Sequence, residues 1–94
     1  MTYKLAFHPD ALDEWKKLDG AVREHLKNKL AERLETPRIP AAAIRGGRDL
    51  YKIKLRTLGY RLVYQVQDEK VTVLVLSVGK RERNRAYKAA LSRV

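Results

Sequence analysis

Between Tyr51 and Arg56 apolar and cationic residues alternate strictly: Tyr51, Ile53 and Leu55 occupy one phase, Lys52, Lys54 and Arg56 the other. A period of two marks a half-buried strand, because successive side chains leave a strand on opposite faces. Thr57-Leu58-Gly59 reads as a short turn, with Gly59 free to take a positive φ. A second strand is expected from Tyr60 to about Val66, with Arg61 out of phase with Tyr60, Leu62 and Tyr64. If the two strands pair as a hairpin, Lys52, Lys54 and Arg61 share one face. Like charges held that close repel, so stability does not favour the arrangement, and an anionic ligand supplies a reason for it. The opposing reading is a solvated face: Lys and Arg are ordinary on the wet side of an antiparallel sheet, and edge lysines discourage aggregation. The hairpin by itself leaves both readings open.

The chain around this segment divides into clear elements. Thr2 to Phe7 alternates weakly and reads as a strand. Pro9 suits the first position of a helix with His8 at its cap. Ala11, Leu12, Trp15 and Leu18 form its apolar stripe, with Asp13, Glu14, Lys16 and Lys17 facing water, and Gly20 ends it. Val22, Leu26, Leu30 and Leu34, spaced four apart, predict a second helix, whose Arg23, Glu24, Lys27, Lys29, Glu32 and Arg33 are of mixed sign and solvent-like. So tight a break makes the pair an antiparallel hairpin able to cover one sheet face. Thr36 to Asp49 holds Pro37, Pro40, Gly46 and Gly47 and reads as a loop, with Arg45 and Arg48 flanking the glycines. Asp68-Glu69-Lys70 is the next turn. Val71 to Val78 is almost wholly apolar, as expected of a central strand covered on both faces. Gly79 ends it, and a cationic run from Lys80 to Arg85 opens a helix reaching about Leu91. The fold class is therefore α+β, and residues 1–94 form a single domain.

Composition narrows the function. The net charge is +10, and residues 48–94 hold twelve Lys/Arg against four Asp/Glu, whereas residues 1–47 hold nine against seven. The C-terminal half is the anion-facing half, which points to nucleic acid or an acidic protein. No apolar run approaches a membrane span, and the N-terminus lacks a signal-peptide core. There are no cysteines, hence no disulfide and no thiolate nucleophile. A cytoplasmic location is the default expectation.

Familiar catalytic kits are missing. The charged half has too few carboxylates for a two-metal nuclease, Asp49, Asp68, Glu69 and Glu82, two of them side by side in a turn. His8 and His25 fall at a cap and in a scaffold helix, and Ser77 has no triad partners. No metal or other cofactor is expected. What remains is Lys52, Lys54, Arg61, Arg81 and Tyr87. RNA carries its own nucleophile, the 2′-OH, beside the scissile phosphate. An enzyme then needs to align the attack, accept one proton, stabilise the phosphorane and protonate the departing 5′ oxygen. Neighbouring cations favour the neutral, basic form of an amine, and Lys54 has Lys52 and Arg56 on its own face. Arg61 has a planar fork suited to phosphate, and Tyr87 has a ring that can stack on a base.

The same residues resemble a known family. The order strand, two helices, loop, three antiparallel strands and C-terminal helix (βααβββα) is similar to that of the RelE toxins of type II toxin–antitoxin systems, over essentially the whole chain. The likeness is densest in Glu14-Trp15-Lys16-Lys17-Leu18, in 51–56, in Gly59-Tyr60-Arg61-Leu62-Val63-Tyr64-Gln65-Val66 and in Ser77-Val78-Gly79-Lys80-Arg81-Glu82-Arg83. The resemblance implies a small, mainly antiparallel sheet packed against an N-terminal helical hairpin. It implies a metal-independent endoribonuclease that cleaves mRNA in the A site of the 70S ribosome, against the 16S rRNA, and is neutralised by a RelB-like antitoxin. Lys52 and Lys54 would be its lysines, with Lys54 the favoured base. Arg61 would stabilise the phosphate, Arg81 the leaving group, and Tyr87 would stack on the substrate. Arg45 corresponds to a position of RNA or ribosome contact, and Arg48, Arg56, Lys80, Arg83 and Arg85 complete the expected RNA-facing set. The alternatives are a sibling toxin that poisons DNA gyrase, from which the lysine pair and following arginines are expected to be missing, and a non-catalytic ribosome- or RNA-binding protein.

Overall fold

The structure is a computed structural model describing residues 2–80 and 85–94. Strand β1 (Lys4–Phe7) leads into α1 (Pro9–Lys16) and α2 (Gly20–Glu35), and then β2 (Leu50–Leu55), β3 (Tyr60–Gln67), β4 (Thr72–Lys80) and α3 (Arg85–Arg93) follow. The sheet order is β1-β4-β3-β2. β2 and β3 form the expected antiparallel hairpin, β3 and β4 are antiparallel, and β1 runs parallel to β4. β4 thus lies inside the sheet, as its apolar run requires.

Local chemistry explains most of the element boundaries. His8 caps α1 by accepting a hydrogen bond at Nδ1 from the Asp10 amide (3.1 Å), with Pro9 at the first helical position. Gly20 does not end that helix. α1 stops at Lys16, and Gly20 opens α2 behind Asp19 at the N-cap, whose carbonyl accepts from the Arg23 amide at 3.0 Å. Gly59 takes φ +72° in the hairpin turn and donates its amide to the Leu55 carbonyl (2.8 Å). The 36–49 loop is more ordered than its composition suggests. It contains a 3-10 turn at Pro40–Ala42 and a bridge from Ala43 to Tyr51 that extends the sheet edge.

Two cores share the sheet. On one face Ala11, Val22, Leu26 and Leu30 from the helices pack on Ile53, Leu55, Leu62, Tyr64, Val66, Val73, Val75 and Val78. On the other, Leu50, Val63 and Leu76 meet Ala86 and Ala90 of α3. A β-bulge on β4 interrupts the register where Val63 pairs with Ser77 and Tyr64 with Val75. Leu76 is the extra residue, so Leu76 and Ser77, although consecutive, both serve the α3 side. Ser77 is buried there and donates to the Ala86 carbonyl (2.6 Å), tying the start of α3 to the sheet. Among the described residues no helix is long and apolar enough to cross a membrane.

Candidate nucleic-acid interface and active site

The re-phased sheet brings Lys54, Arg61 and Gly79 into one row across three strands: Lys54 is the cross-strand partner of Arg61, and Arg61 of Gly79. In the adjacent row Lys52 stands opposite Val63 and Val63 opposite Ser77. Val63 and Ser77 face α3, so Lys52, Lys54 and Arg61 do too, on the side away from the two N-terminal helices. Gly79 contributes no side chain beside Arg61, and a Cβ built there would meet only open space. The floor of the site is therefore cationic and uncrowded.

Tyr87 closes this floor from α3. Its ring lies 5.1 Å from the Arg61 guanidinium carbon and 5.9 Å from Lys52 Nζ, so the aromatic face attracts both cations and holds them side by side. The Tyr87 hydroxyl is buried and has no hydrogen-bond partner among the described residues. Burial raises its pKa above the ordinary phenol value, and the Arg61 charge pulls the other way without reversing the shift. Burial thus favours the neutral phenol form of Tyr87, whose ring is suited to stacking. Lys54 is exposed while Lys52 and Arg61 are half-buried. Lys54 and Arg56 line a hollow of about 260 Å³ with Tyr60 and Arg61, and a second groove of about 340 Å³ with Arg33, Ile39 and Lys52.

The remaining expected residues divide. Arg81 and Arg83 lie outside the described residues. Arg56 continues the cationic phase of β2 at its exposed end. Lys80 does not join the cluster: its cross-strand partner is Tyr60, on the opposite face from Arg61, and with Arg85 it lines a separate hollow of about 450 Å³. The alternation that aims Arg61 at the site aims a residue at position 80 away from it. Arg45 and Arg48 are exposed on the loop entering β2. Gly47 between them lies against Leu50 and Leu91, where a Cβ would strike the Leu50 side chain, so this loop is seated against α3.

Two residues read from sequence as water-facing are structural partners of the site. Arg33 is half-buried, donating to the Lys52 carbonyl (3.0 Å) and the Tyr64 hydroxyl (2.9 Å) with its guanidinium over the Tyr64 ring. Tyr64 in turn donates to the Pro37 carbonyl (2.7 Å), fastening the loop beneath β2. Glu14 reaches the Val78 amide (3.2 Å) and forms a fork with Arg93 (2.9 and 3.1 Å). In sequence, Arg33 follows Leu30 by three and Glu14 follows Ala11 by three, which places both on the flank of an apolar stripe. That position was the available signal.

Comparison with known proteins agrees with this architecture. Residues 5–85 match the family described as the ParE toxin of type II toxin–antitoxin systems. The chain is 61% identical to the mRNA interferase toxin RelE of Escherichia coli K12, over all of this chain and 99% of that one. A free-state structure of E. coli RelE carrying two arginine-to-alanine substitutions superposes with a TM-score of 0.93 at 58% identity, covering 100% of this chain and 99% of that chain. The toxin in the intact E. coli RelBE toxin–antitoxin complex gives 0.83 at 64% identity, covering 86% and 99%. The chain belongs to the RelE family, within the RelE/ParE group of type II toxins.

Proposed function

We propose that this protein is an mRNA interferase, an endoribonuclease toxin that stops translation. The observation that carries the reading is the Lys54–Arg61 cross-strand pair, with Lys52 alongside and Tyr87 lying over Lys52 and Arg61. In this arrangement a phosphodiester seated on Arg61 has its 2′-OH toward the lysines. Lys54, or Lys52 in its place, accepts the hydroxyl proton as the O2′–P bond forms. Arg61 stabilises the added charge on the phosphorane. The P–O5′ bond then breaks and the 5′ oxygen takes a proton; to Arg81 we assign the stabilisation or protonation of this leaving group. The products are a 2′,3′-cyclic phosphate and a 5′-hydroxyl. Tyr87 stacks on the neighbouring base and fixes the backbone in line.

The ribosome is the partner that completes this site. Arginine is a poor proton donor, and a cationic floor cannot by itself bend RNA into line. A-site mRNA held by the 70S ribosome arrives already bent, and 16S rRNA offers phosphate to Arg45, Arg48, Arg56 and the cationic run after β4. A RelB-like antitoxin, as in the RelBE complex of the E. coli relative, neutralises the activity. The action is cytoplasmic, where ribosomes are.

The test is cleavage of a ribosome-bound message beside the same message free in solution, mapped by sequencing 5′ ends. Breaks in phase with the reading frame, absent from naked RNA, are expected. Equal cleavage of naked RNA would overturn the ribosome requirement. Lys54→Ala, Arg61→Ala and Arg81→Ala are expected to lose cleavage while keeping ribosome occupancy; loss of occupancy instead would leave a binding protein only. The family described as ParE toxin favours a second reading, a gyrase poison. The intact cationic set weighs against it, and an unaffected gyrase supercoiling assay is the expected result.

A further inference from the structure

α3 carries Tyr87 into the site and packs on the second core of the sheet. Its buried residues are Ala86 and Ala90, and Tyr87 packs beside them against the cluster of Leu50, Val63 and Leu76. A nine-residue helix is too short to persist on its own. Among the described residues, two polar anchors add to this packing. One is the Ser77 hydroxyl on the Ala86 carbonyl, beside Tyr87. The other lies at the far end of the helix. Arg93 passes the edge of β4 beyond the end of β1, donates to the Leu76 carbonyl (2.7 Å) and forks onto Glu14 of α1, with Asp10 at 3.8 Å from its Nε. Glu14 simultaneously accepts from the Val78 amide (3.2 Å). A single ion pair thus joins α1, the open edge of β4 and the end of α3.

We infer that Glu14 and Arg93 are positioning residues for the reaction: their ion pair at the edge of β4 sets the rotation of α3 and thereby seats the Tyr87 ring over Lys52 and Arg61. This rests on the nuclease reading above and adds to it a pair on the far side of the helix from the phosphate. With Arg93 replaced, Ser77–Ala86 is the remaining polar anchor among the described residues and α3 turns about it; without Glu14, Arg93 keeps its bond to the Leu76 carbonyl but loses the fork that aims it. The Tyr87 ring stands roughly 6 Å from the helix axis, so a rotation of about 20° displaces it by about 2 Å. Misplacement on that scale costs on the order of a hundredfold in rate.

The experiment uses the full chain with 3-fluorotyrosine at position 87, in the wild type and in Glu14→Ala, Arg93→Ala, Arg93→Lys and Glu14→Ala/Arg93→Ala. Fluorine NMR reports the ring's surroundings, single-turnover cleavage of ribosome-bound mRNA reports the chemistry, and co-sedimentation reports ribosome occupancy. In both alanine variants the fluorine signal is expected to move toward that of solvent-exposed fluorotyrosine. Cleavage is expected to fall about ten- to a hundredfold with occupancy within about threefold. The double variant is expected to be no worse than the poorer single, since the two residues act as one unit. Tyr87→Ala combined with Arg93→Ala is expected to lose little more than Tyr87→Ala alone. Arg93→Lys keeps the charge without the fork and is expected to fall between; if Arg93→Ala unfolds, Arg93→Lys against wild type carries the comparison. An unmoved fluorine signal, or losses that multiply with Tyr87→Ala, would overturn the positioning role. A wild type inert toward ribosome-bound mRNA would instead overturn the nuclease reading, and the fluorine comparison would still decide whether the pair seats Tyr87.

Discussion

Arg61 sits where three influences cross: Lys54 opposite on β2, the vacant position of Gly79 on β4, and the Tyr87 ring above. Replacing it by lysine keeps the charge and loses the planar fork. Arg61→Lys is expected to lower single-turnover cleavage by about 10²–10³ with ribosome occupancy retained, because the fork is needed for charge that develops only in the transition state. Tyr87 separates ring from hydroxyl. Burial raises its pKa, so it supplies no phenolate at neutral pH. Tyr87→Phe is therefore expected to keep cleavage within several-fold, whereas Tyr87→Ala, which removes the stacking surface, loses roughly a hundredfold. Both are read by the same single-turnover assay.

At the scale of elements, the hairpin depends on a turn and on an anchor beneath it. Gly59 at φ +72° is in a region that a side chain disfavours, so Gly59→Ala is expected to cost about 1–2 kcal/mol in denaturant unfolding, although a Cβ there would meet open space. The anchor is Tyr64, buried between the Arg33 donor and the Pro37 acceptor and stacked at 5.8 Å on Tyr51. Burial raises the pKa of its hydroxyl against the opposing effect of Arg33. Tyr64→Phe keeps the ring packing, removes the donor to the Pro37 carbonyl and leaves Arg33 one acceptor fewer, at an expected cost of about 1–3 kcal/mol. Because Arg33 also holds the Lys52 carbonyl, this variant is further expected to loosen β2, measurable as faster amide exchange at Ile53 and Lys54.

Across the whole molecule, charge is divided between two ends of the sheet. At the end opposite the Lys54–Arg61 row, Arg38 bridges Asp49 (2.9 Å) and Asp68 (2.6 Å), and the Tyr3 hydroxyl donates to Asp68 (2.7 Å). The Tyr3 hydrogen bond first, and the Arg38 contact second, hold the Asp68 carboxyl below its usual range. A depressed carboxylate adds stability that is present above its unfolded pKa and disappears as the pH falls through its lower folded value. Asp68→Asn is accordingly expected to flatten the acid limb of a stability–pH profile while leaving cleavage near neutral pH unchanged. The Lys54–Arg61 row occupies the other end, in a chain of net charge +10. Ribosome occupancy is expected to fall steeply between low and physiological salt, with a shallower slope for Arg45→Ala/Arg48→Ala. A co-sedimentation series in potassium chloride measures both.

The residues alone determined the hairpin, its turn and its cationic face, because a period of two and a glycine are local properties that survive any packing. They also determined β4 as an inner strand, from a run too apolar to face water, and the His8–Pro9 start of α1. Tertiary structure decided what distance along the chain conceals. The bulge at Leu76 re-phases β4, so that Ser77 rather than its neighbour holds α3. Glu14 and Arg33 look solvated in a helical pattern because their partners, Arg93 and the Lys52 carbonyl, belong to elements that meet them only in the folded chain. Gly20 reads as the stop of the first helix, whereas in the fold α1 has already ended at Lys16 and Gly20 opens α2 behind Asp19. Lys80 belongs by sequence to the cationic run, but strand alternation sends it to the face opposite Arg61. Charge pattern is written in the chain; which charges converge is set by register, and register is settled only when both faces of the sheet are covered.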